Sequence, residues 1–245
     1  MNTATKTSRL SERFEVAYNQ IDDALKSMLK IYNRGFSDRV RIGASRHKII
    51  KEFQDELLQY ARLRNAIVHE KTELGYYIAE PHENVVERIE KIARFLTEPD
   101  DCLSIATKEV VFFYESDPLI TVIRKMQGNH YSQFPVYDEH GCVGLLKCRT
   151  IVKFFANHLA NGTPDTKLLR EVTVGDIYGE DRHHPIVFVP KSYTIFEIED
   201  VFEEFHKNKK DLEMAIVTEN GRRTEKPLGV VTPWDLIEID YTVDS

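Results

Sequence analysis

Three polar side chains with the makings of a phosphate chemistry lie close together near the end of an apolar run: Arg64, Asn65 and His69, within Leu57-Leu58-Gln59-Tyr60-Ala61-Arg62-Leu63-Arg64-Asn65-Ala66-Ile67-Val68-His69-Glu70. Helical geometry puts Asn65 and His69 at i and i+4 on one face, with Arg64 roughly 100° round the axis from Asn65. A guanidinium, a carboxamide and an imidazole so placed can converge on one phosphate-sized volume. The imidazole titrates near neutrality and can give or take a proton, while the guanidinium offers a fork of donors to phosphate oxygens. The competing reading is structural. Arg64 then pairs with Glu56 or Glu70 or caps a helix end, and Asn65 and His69 satisfy the turn that follows. A single helix surface is a poor active site, so the catalytic reading needs two such motifs facing each other, and hence a dimer.

The elements that must position these residues are helices. Leu10, Phe14, Ala17, Ile21, Leu25, Met28, Leu29 and Tyr32 recur at steps of three and four, which predicts a long amphipathic helix. Asn33, Gly35 and Ser37 break it, and the basic residues Arg34, Arg39, Arg41, Arg46 and Lys48 read as a solvated connection. Ser45 is the expected N-cap of a second helix, whose stripe Ile49, Ile50, Phe53, Leu57 and Leu58 leads into the Arg64 motif. Gly75 and Pro81 punctuate the chain before a last helix from about His82 to Leu96, stopped by Pro99. The expectation is an antiparallel bundle of about four helices whose apolar faces suit a helical partner or a second copy of the chain.

The two long helices, the second ending in Leu63-Arg64-Asn65-Ala66-Ile67-Val68-His69, resemble the HEPN superfamily, with its Arg-x4-6-His motif and a polar residue directly after the Arg. The resemblance spans residues 8–98. It implies an RNA-directed domain, in several branches a metal-independent endoribonuclease assembled from two motifs in a dimer. His69 would be the general acid or base at the RNA 2′-hydroxyl or its leaving group. Arg64 would stabilise charge on the phosphate, and Asn65 would orient the phosphate or His69.

From Asp100 the texture changes to short β-rich runs alternating with helices, and the segment repeats. Val110-Val111-Phe112-Phe113 followed by Pro118 to Met126 matches Ile186-Val187-Phe188-Val189 followed by Thr194 to Phe202. Gln133 to Asp138 with a turn at Gly141 matches Met214 to Thr218 with a turn at Asn220-Gly221. The offset starts at about 76 residues and widens to about 85, which places inserted loops in the second copy. Two successive β-α-β-β-α units, the first containing Ser132-Gln133-Phe134-Pro135-Val136, are similar to a tandem pair of CBS domains over residues 103–241, with copies at 103–160 and 170–241. That resemblance implies a regulatory module whose clefts hold an adenosine-containing ligand: AMP, ADP, ATP or cyclic di-AMP, with no catalytic cofactor.

The family's ligand motif, Gly-h-x-Ser/Thr-x-x-Asp, stands complete in the second copy as Gly229-Val230-Val231-Thr232-Pro233-Trp234-Asp235. The chemistry agrees, since a helix starting at Pro233 offers N–H groups and the Thr232 hydroxyl to phosphate, and the Asp235 carboxylate can accept both ribose hydroxyls. The resemblance puts the adenine against main-chain groups near Ile186 and Val187. Arg182, His183 and His184 lie just before that strand and are candidate phosphate neighbours. The first copy departs from the motif: in Gly144-Leu145-Leu146-Lys147-Cys148-Arg149-Thr150, Lys147 stands in the Ser/Thr place and Thr150 in the Asp place. Lys147 and Arg149 are therefore candidates for phosphate rather than ribose. Thr232 and Asp235 would equally serve as N-cap and first-turn stabilisers. Trp234 is expected to pack against the module.

Composition bounds the remaining possibilities. The 245 residues carry a net charge of −7, with about +2 on residues 1–98 and about −9 on the rest, which argues against broad nucleic-acid coating. Cys102, Cys142 and Cys148 lack metal-ligand spacing and fit a reducing compartment. No Walker-type loop, Ser-His-Asp arrangement or metal signature is present. With no leader-like segment or apolar run of membrane-spanning length, the expected setting is the cytoplasm and no membrane is expected as a partner. The sequence thus predicts an α+β protein, probed by an adenine nucleotide and acting as a homodimer or higher homo-oligomer. The N-terminal bundle is directed at RNA, or else serves dimerisation or docking without catalysis.

Overall fold

The computed structural model describes residues 10–69, 80–128, 131–160, 162, 171–178 and 185–237, excluding the side chains of Val68 and His69. The chain divides into two compact units, one within residues 1–100 and the other spanning 101–239.

The first unit is helical. Helix α1 (Leu10–Leu29) buries Phe14, Ala17, Tyr18, Ile21, Leu25 and Leu29, the three-and-four stripe expected of it. It stops at Leu29 rather than continuing to Tyr32, because Lys30 takes a left-handed conformation with φ of 55° and Tyr32 faces solvent. Helix α5 (Glu83–Thr97) lays Val86, Ile89, Ile92, Ala93 and Leu96 against the core, and an Arg13–Glu90 fork with contacts of 2.8 and 2.7 Å ties it to α1. Between them run α2 (Phe36–Ala44), α3 (Lys48–Glu52) and α4 (Gln54–His69).

Two expectations fail here. The basic connection is helical in its middle, as α2, and Arg39 is only 4% exposed, paired with Asp22 of α1 and donating to the Arg34 carbonyl. Tertiary pairing with an acidic partner 17 residues back overrides the local look of a solvated basic stretch. Ser45 does not cap the next helix. Its hydroxyl donates back to the Ile42 carbonyl at 2.7 Å and closes α2, while His47 precedes α3 without a side-chain cap bond. Gly43 permits this tight corner, since a Cβ there would lie 2.7 Å from Ile50 Cδ1.

The second unit is a pair of β-α-β-β-α repeats. In the first, β1 (Phe113–Tyr114) runs parallel to β2 (Gln133–Asp138), which pairs antiparallel with β3 (Gly141–Lys147), while α6 (Leu119–Gly128) and α7 (Cys148–Ala160) cover one face. After α8 (Val174–Tyr178), the second repeats the order as β4 (Ile186–Pro190), α9 (Ile195–Lys207), β5 (Met214–Thr218), β6 (Gly229–Val231) and α10 (Pro233–Ile237).

Strand alternation decides which core each residue joins. On β5, Ala215 and Val217 enter the second copy's own core, whereas Met214 and Ile216 meet Tyr137, Cys142 and Leu145 of the first copy in an apolar layer between the copies. The connecting segments are exchanged: α8, which precedes the second copy, packs Val174, Ile177 and Tyr178 into the first core, and Cys102 to Ala106, which precede the first copy, pack into the second. The same exchange gives matching isolated bridges, Pro118 with Thr173 and Asp101 with Thr194. The mixed α+β class is therefore as expected, with helices first and paired sheets after. Among the described residues, no helix is long and apolar enough to cross a membrane.

Candidate nucleotide-binding cleft

The exchange of connecting segments explains both glycines that open the two copies of the motif. A Cβ on Gly144 would reach 2.9 Å from Tyr178 Cζ, and one on Gly229 would lie 2.9 Å from Ala106 Cβ. In each copy the glycine admits the segment donated by the other side of the pair.

Beyond Gly229, β6 ends at Val231 and Thr232 leads into α10. Thr232 donates its backbone N–H and its hydroxyl to Asp235 Oδ2 at 2.6 and 2.7 Å. Both bonds fall on one oxygen, Oδ2. The arrangement recurs where no ligand motif stands: Thr173 with Asp176 at 2.8 and 2.8 Å, and Thr194 with Glu197 at 2.8 and 2.9 Å. Thr-x-x-Asp/Glu thus starts three helices of the second unit. What distinguishes the pair at 232 and 235 is its place.

Val230 exchanges main-chain hydrogen bonds of 2.9 and 3.1 Å with Thr107, bringing the stretch before β1 of the first copy alongside β6 of the second. Together they border a small open cleft lined by Glu109, Val110, Tyr131 and Gln133 of the first copy and Met214 and Val230 of the second. Val230, which lines this cleft, stands two residues before Thr232, so the Thr232–Asp235 pair follows directly on the strand that borders it.

Ile186 and Val187 do not line it. Val231 pairs with Ala215 and Ala215 with Val187, so Val187 stands two strand spacings, about 9.5 Å, from β6. Ile186 packs into the layer between the copies, and Val187 packs against the second core. Thr107, Glu109, Val110 and Val111, which do line it, belong to the repeat counterpart of the stretch that includes Ile186 and Val187. Sequence reasoning kept each motif within its own copy.

Lys147 lies on the other side of the pair. It is 8% exposed and ion-paired with Glu213, whose backbone N–H donates to the Pro185 carbonyl at 3.0 Å, next to Ile186. Arg182, His183 and His184 fall outside the described residues. Trp234, expected to pack, is 73% exposed.

In the helical unit, Arg64 is half-buried, with its guanidinium 5.8 Å from the Tyr18 ring centroid and its Nε without a hydrogen-bond partner. Glu56, one of the two partners anticipated for it, is taken by Arg88 in a fork of 2.9 and 2.9 Å, and Glu70, the other, lies outside the described residues. Asn65 is exposed on the neighbouring face. His69 ends α4, and its side chain lies outside the described set. Burial, followed by the nearby Asp22, pushes the Tyr18 phenol up to about 12, so it stays neutral beside Arg64. Burial likewise pushes the Cys102 and Cys142 thiols up to about 11 and raises Cys148, which disfavours thiolate chemistry at all three. Among the described residues, no group of three or more His, Cys, Asp or Glu is placed to hold a metal ion.

The second unit is similar to several solved structures. One is the CBS domain of a bacterial CNNM/CorC family Mg2+ transporter in complex with ATP, at 25% identity over 64% of this chain and 96% of that one, with a TM-score of 0.38. Another is a CBS domain pair in complex with 5′-methylthioadenosine and S-adenosyl-L-methionine, at 15% identity over 57% and 94% of the two chains, with a TM-score of 0.39. A third is a hemolysin-like protein containing a CBS domain from Oenococcus oeni PSU, at 19% identity over 60% and 95%, with a TM-score of 0.40. No curated protein matches the chain. The family model described as CBS domain matches residues 102–157 and 174–241, one segment for each repeat and together just over half of the chain, which therefore belongs to the CBS domain family.

Proposed function

We propose that the protein is an adenine-nucleotide-sensing regulator, in which the cleft lined by Val230, ahead of Thr232 and Asp235, takes AMP, ADP, ATP or cyclic di-AMP and thereby sets the state of the N-terminal helical unit. The observation that supports the reading is a cleft bordered by both copies and lined by Val230, two residues before the hydrogen-bonded Thr232–Asp235 pair. Asp235 Oδ1 would accept a ribose hydroxyl, and the Thr107 to Val111 main chain would meet the base edge. The first-turn N–H groups of α10 would meet the α-phosphate. A ligand alters the helical unit only by binding its two arrangements with different affinity. The linker around residues 97–103 contains no Gly- or Ser-rich spacer, which suits such transmission.

The direct test is calorimetry with each nucleotide on wild type and Asp235→Asn. Binding should weaken at least tenfold in the variant, and equal binding in both overturns the assignment. Trp234, the chain's one tryptophan, neighbours Asp235 and supplies an independent fluorescence signal for the same titration.

A second reading makes the helical unit an HEPN-type, metal-independent endoribonuclease working as a homodimer. It is favoured by Arg64, whose Nε has no partner among the described residues and whose neighbour Asn65 is exposed on the helix that ends at His69. Unstructured RNA incubated with chelator should be cut by wild type and not by His69→Ala. Equal product from both removes the catalytic role and leaves the helices as a dimerisation or docking element.

A further inference from the structure

The basic stretch that follows α1 serves neither the nucleotide cleft nor the Arg64 motif. From Lys30 to Lys51 the chain carries seven lysines and arginines against one acidic residue, Asp38, within a protein of net charge −7. Folding neutralises part of this charge, since Arg39 goes to Asp22 and Arg41 to Asp38. Packing gathers much of the rest. A Cβ on Gly43 would lie 2.7 Å from Ile50 Cδ1 and 3.4 Å from Leu29 Cδ1, so α1, α2 and α3 meet at one point. Lys30 follows Leu29, Lys51 follows Ile50, and the Arg46 backbone N–H donates to the Gly43 carbonyl at 2.9 Å. Lys30, Arg46 and Lys51 are all exposed, and none of them is ion-paired among the described residues. Of the carboxylates on α1, Asp22 and Asp23 are both held by Lys26, while Glu52 follows Lys51 and offsets one charge of the corner. Tyr32, two residues past Lys30, is 67% exposed. Arg34, also exposed, is tied to α2 through its carbonyl, which accepts from Arg39.

We infer that this corner, Lys30, Arg46 and Lys51 with Tyr32 and Arg34 beside them, binds the backbone of a single-stranded nucleic acid. Clustered ammonium and guanidinium groups take phosphates with release of counterions, and an exposed phenol ring gives a base a face to stack on. The choice of RNA over DNA rests on the reading of the helical unit as RNA-directed, whereas the corner itself does not depend on catalysis at His69. A confined cationic corner is compatible with an acidic chain, which excludes only broad coating. An anionic membrane suits it less. Val16, the other large exposed apolar residue of this unit, lies about 20 Å back along α1 from Lys30, too far to enter lipid beside the cations.

The experiment is fluorescence anisotropy on the full chain with labelled, unstructured RNA and DNA oligonucleotides of one sequence, across a range of salt and with chelator present. The combined variant Lys30→Gln, Arg46→Gln, Lys51→Gln should weaken RNA binding at least tenfold and flatten the plot of log affinity against log salt by about 2, three contacts at about 0.7 each. Tyr32→Ala should weaken binding at least fivefold and leave that slope unchanged. All four positions are exposed, so melting curves should match wild type. Lys209→Gln, Lys210→Gln, Lys226→Gln makes the same charge change at exposed positions of the second unit and should bind as wild type. An equal loss in that control overturns the inference, as does binding indifferent to the corner variant, no binding of either oligonucleotide, or binding of phosphatidylserine vesicles in place of both. Binding that depends on the corner, with no RNA cut by wild type, upholds the inference and removes only the catalytic reading. Tighter binding of DNA than of RNA, lost in the same variant, upholds the corner and overturns the RNA-directed reading.

Discussion

Gly144 and Tyr178 are in direct apposition: the Tyr178 hydroxyl donates to the Val143 carbonyl and lies over the bare Cα of Gly144. Tyr178 is wholly buried, 34 residues along the chain, in a helix that precedes the other copy. Gly144→Ala would both strain a φ of +153° and drive a methyl group to 2.9 Å from the ring. The expected cost is about 3 kcal/mol, with a fall in melting temperature on the order of 10 °C. Tyr178→Phe should cost only about 1 kcal/mol, the net worth of one hydrogen bond. Thermal melts of the two variants check the order, and an unchanged Gly144→Ala melt contradicts the packing described.

Asp235 carries two roles that substitution can separate. As a cap, its loss in Asp235→Ala should cost about 1 kcal/mol of stability. Asp235→Asn keeps a carbonyl oxygen for the Thr232 N–H while removing the charge that favours ribose hydroxyls. Its melting temperature should stay within about 2 °C of wild type while nucleotide affinity falls at least tenfold. Melting curves with and without nucleotide read both effects in one experiment.

Arg39 should be among the most sensitive charged residues of the helical unit. It is 4% exposed, and its partner Asp22 is 18% exposed at the side chain. Arg39→Ala removes one member of a nearly buried pair and should destabilise by about 3 kcal/mol. Asp22→Asn in the same background should recover part of that loss, and a double-mutant cycle by urea denaturation measures how much.

Acid should loosen the helical unit. The hydrogen-bonded fork from Arg88 holds the Glu56 carboxyl below its ordinary 4.5, and that from Arg13 does the same for Glu90. For a carboxyl lowered in the folded state, the stabilisation is present above the ordinary value and is lost as pH falls through the folded one. Stability should therefore be flat from pH 7 to about 5 and decline below about 4.5. Arg88→Met should remove part of the decline, which far-UV circular dichroism melts between pH 3 and 6 resolve.

Much of the architecture was legible in the chain because periodicity and repetition are local properties. The stripe from Phe14 to Leu29 defines α1, and the alternation Met214-Ala215-Ile216-Val217 defines β5 and its two opposite faces. The Gly-h-x-Thr-x-x-Asp pattern likewise located Thr232 and Asp235 at a helix start. Periodicity gave no sign that the basic stretch around Arg39 would fold as a helix, because its stabilising partner, Asp22, lies on another element. Nor could it show that Arg64 would lean on Tyr18 while Glu56 went to Arg88.

The sequence by itself determined the two-part α+β plan, the internal repeat and the residues of the ligand motif, since each follows from neighbours within a few positions. Only the tertiary structure decided which residues share a cleft. Exchange of the connecting segments and the Thr107–Val230 pairing set Val230, two residues before Thr232, in a cleft with the first copy's entry stretch, while Ile186 and Val187 pack elsewhere. Lys147, at the matching position, is committed to Glu213 of the opposite copy. The physical reason is that strand register fixes distances along one sheet, whereas a cleft between two sheets is fixed by how their apolar faces pack.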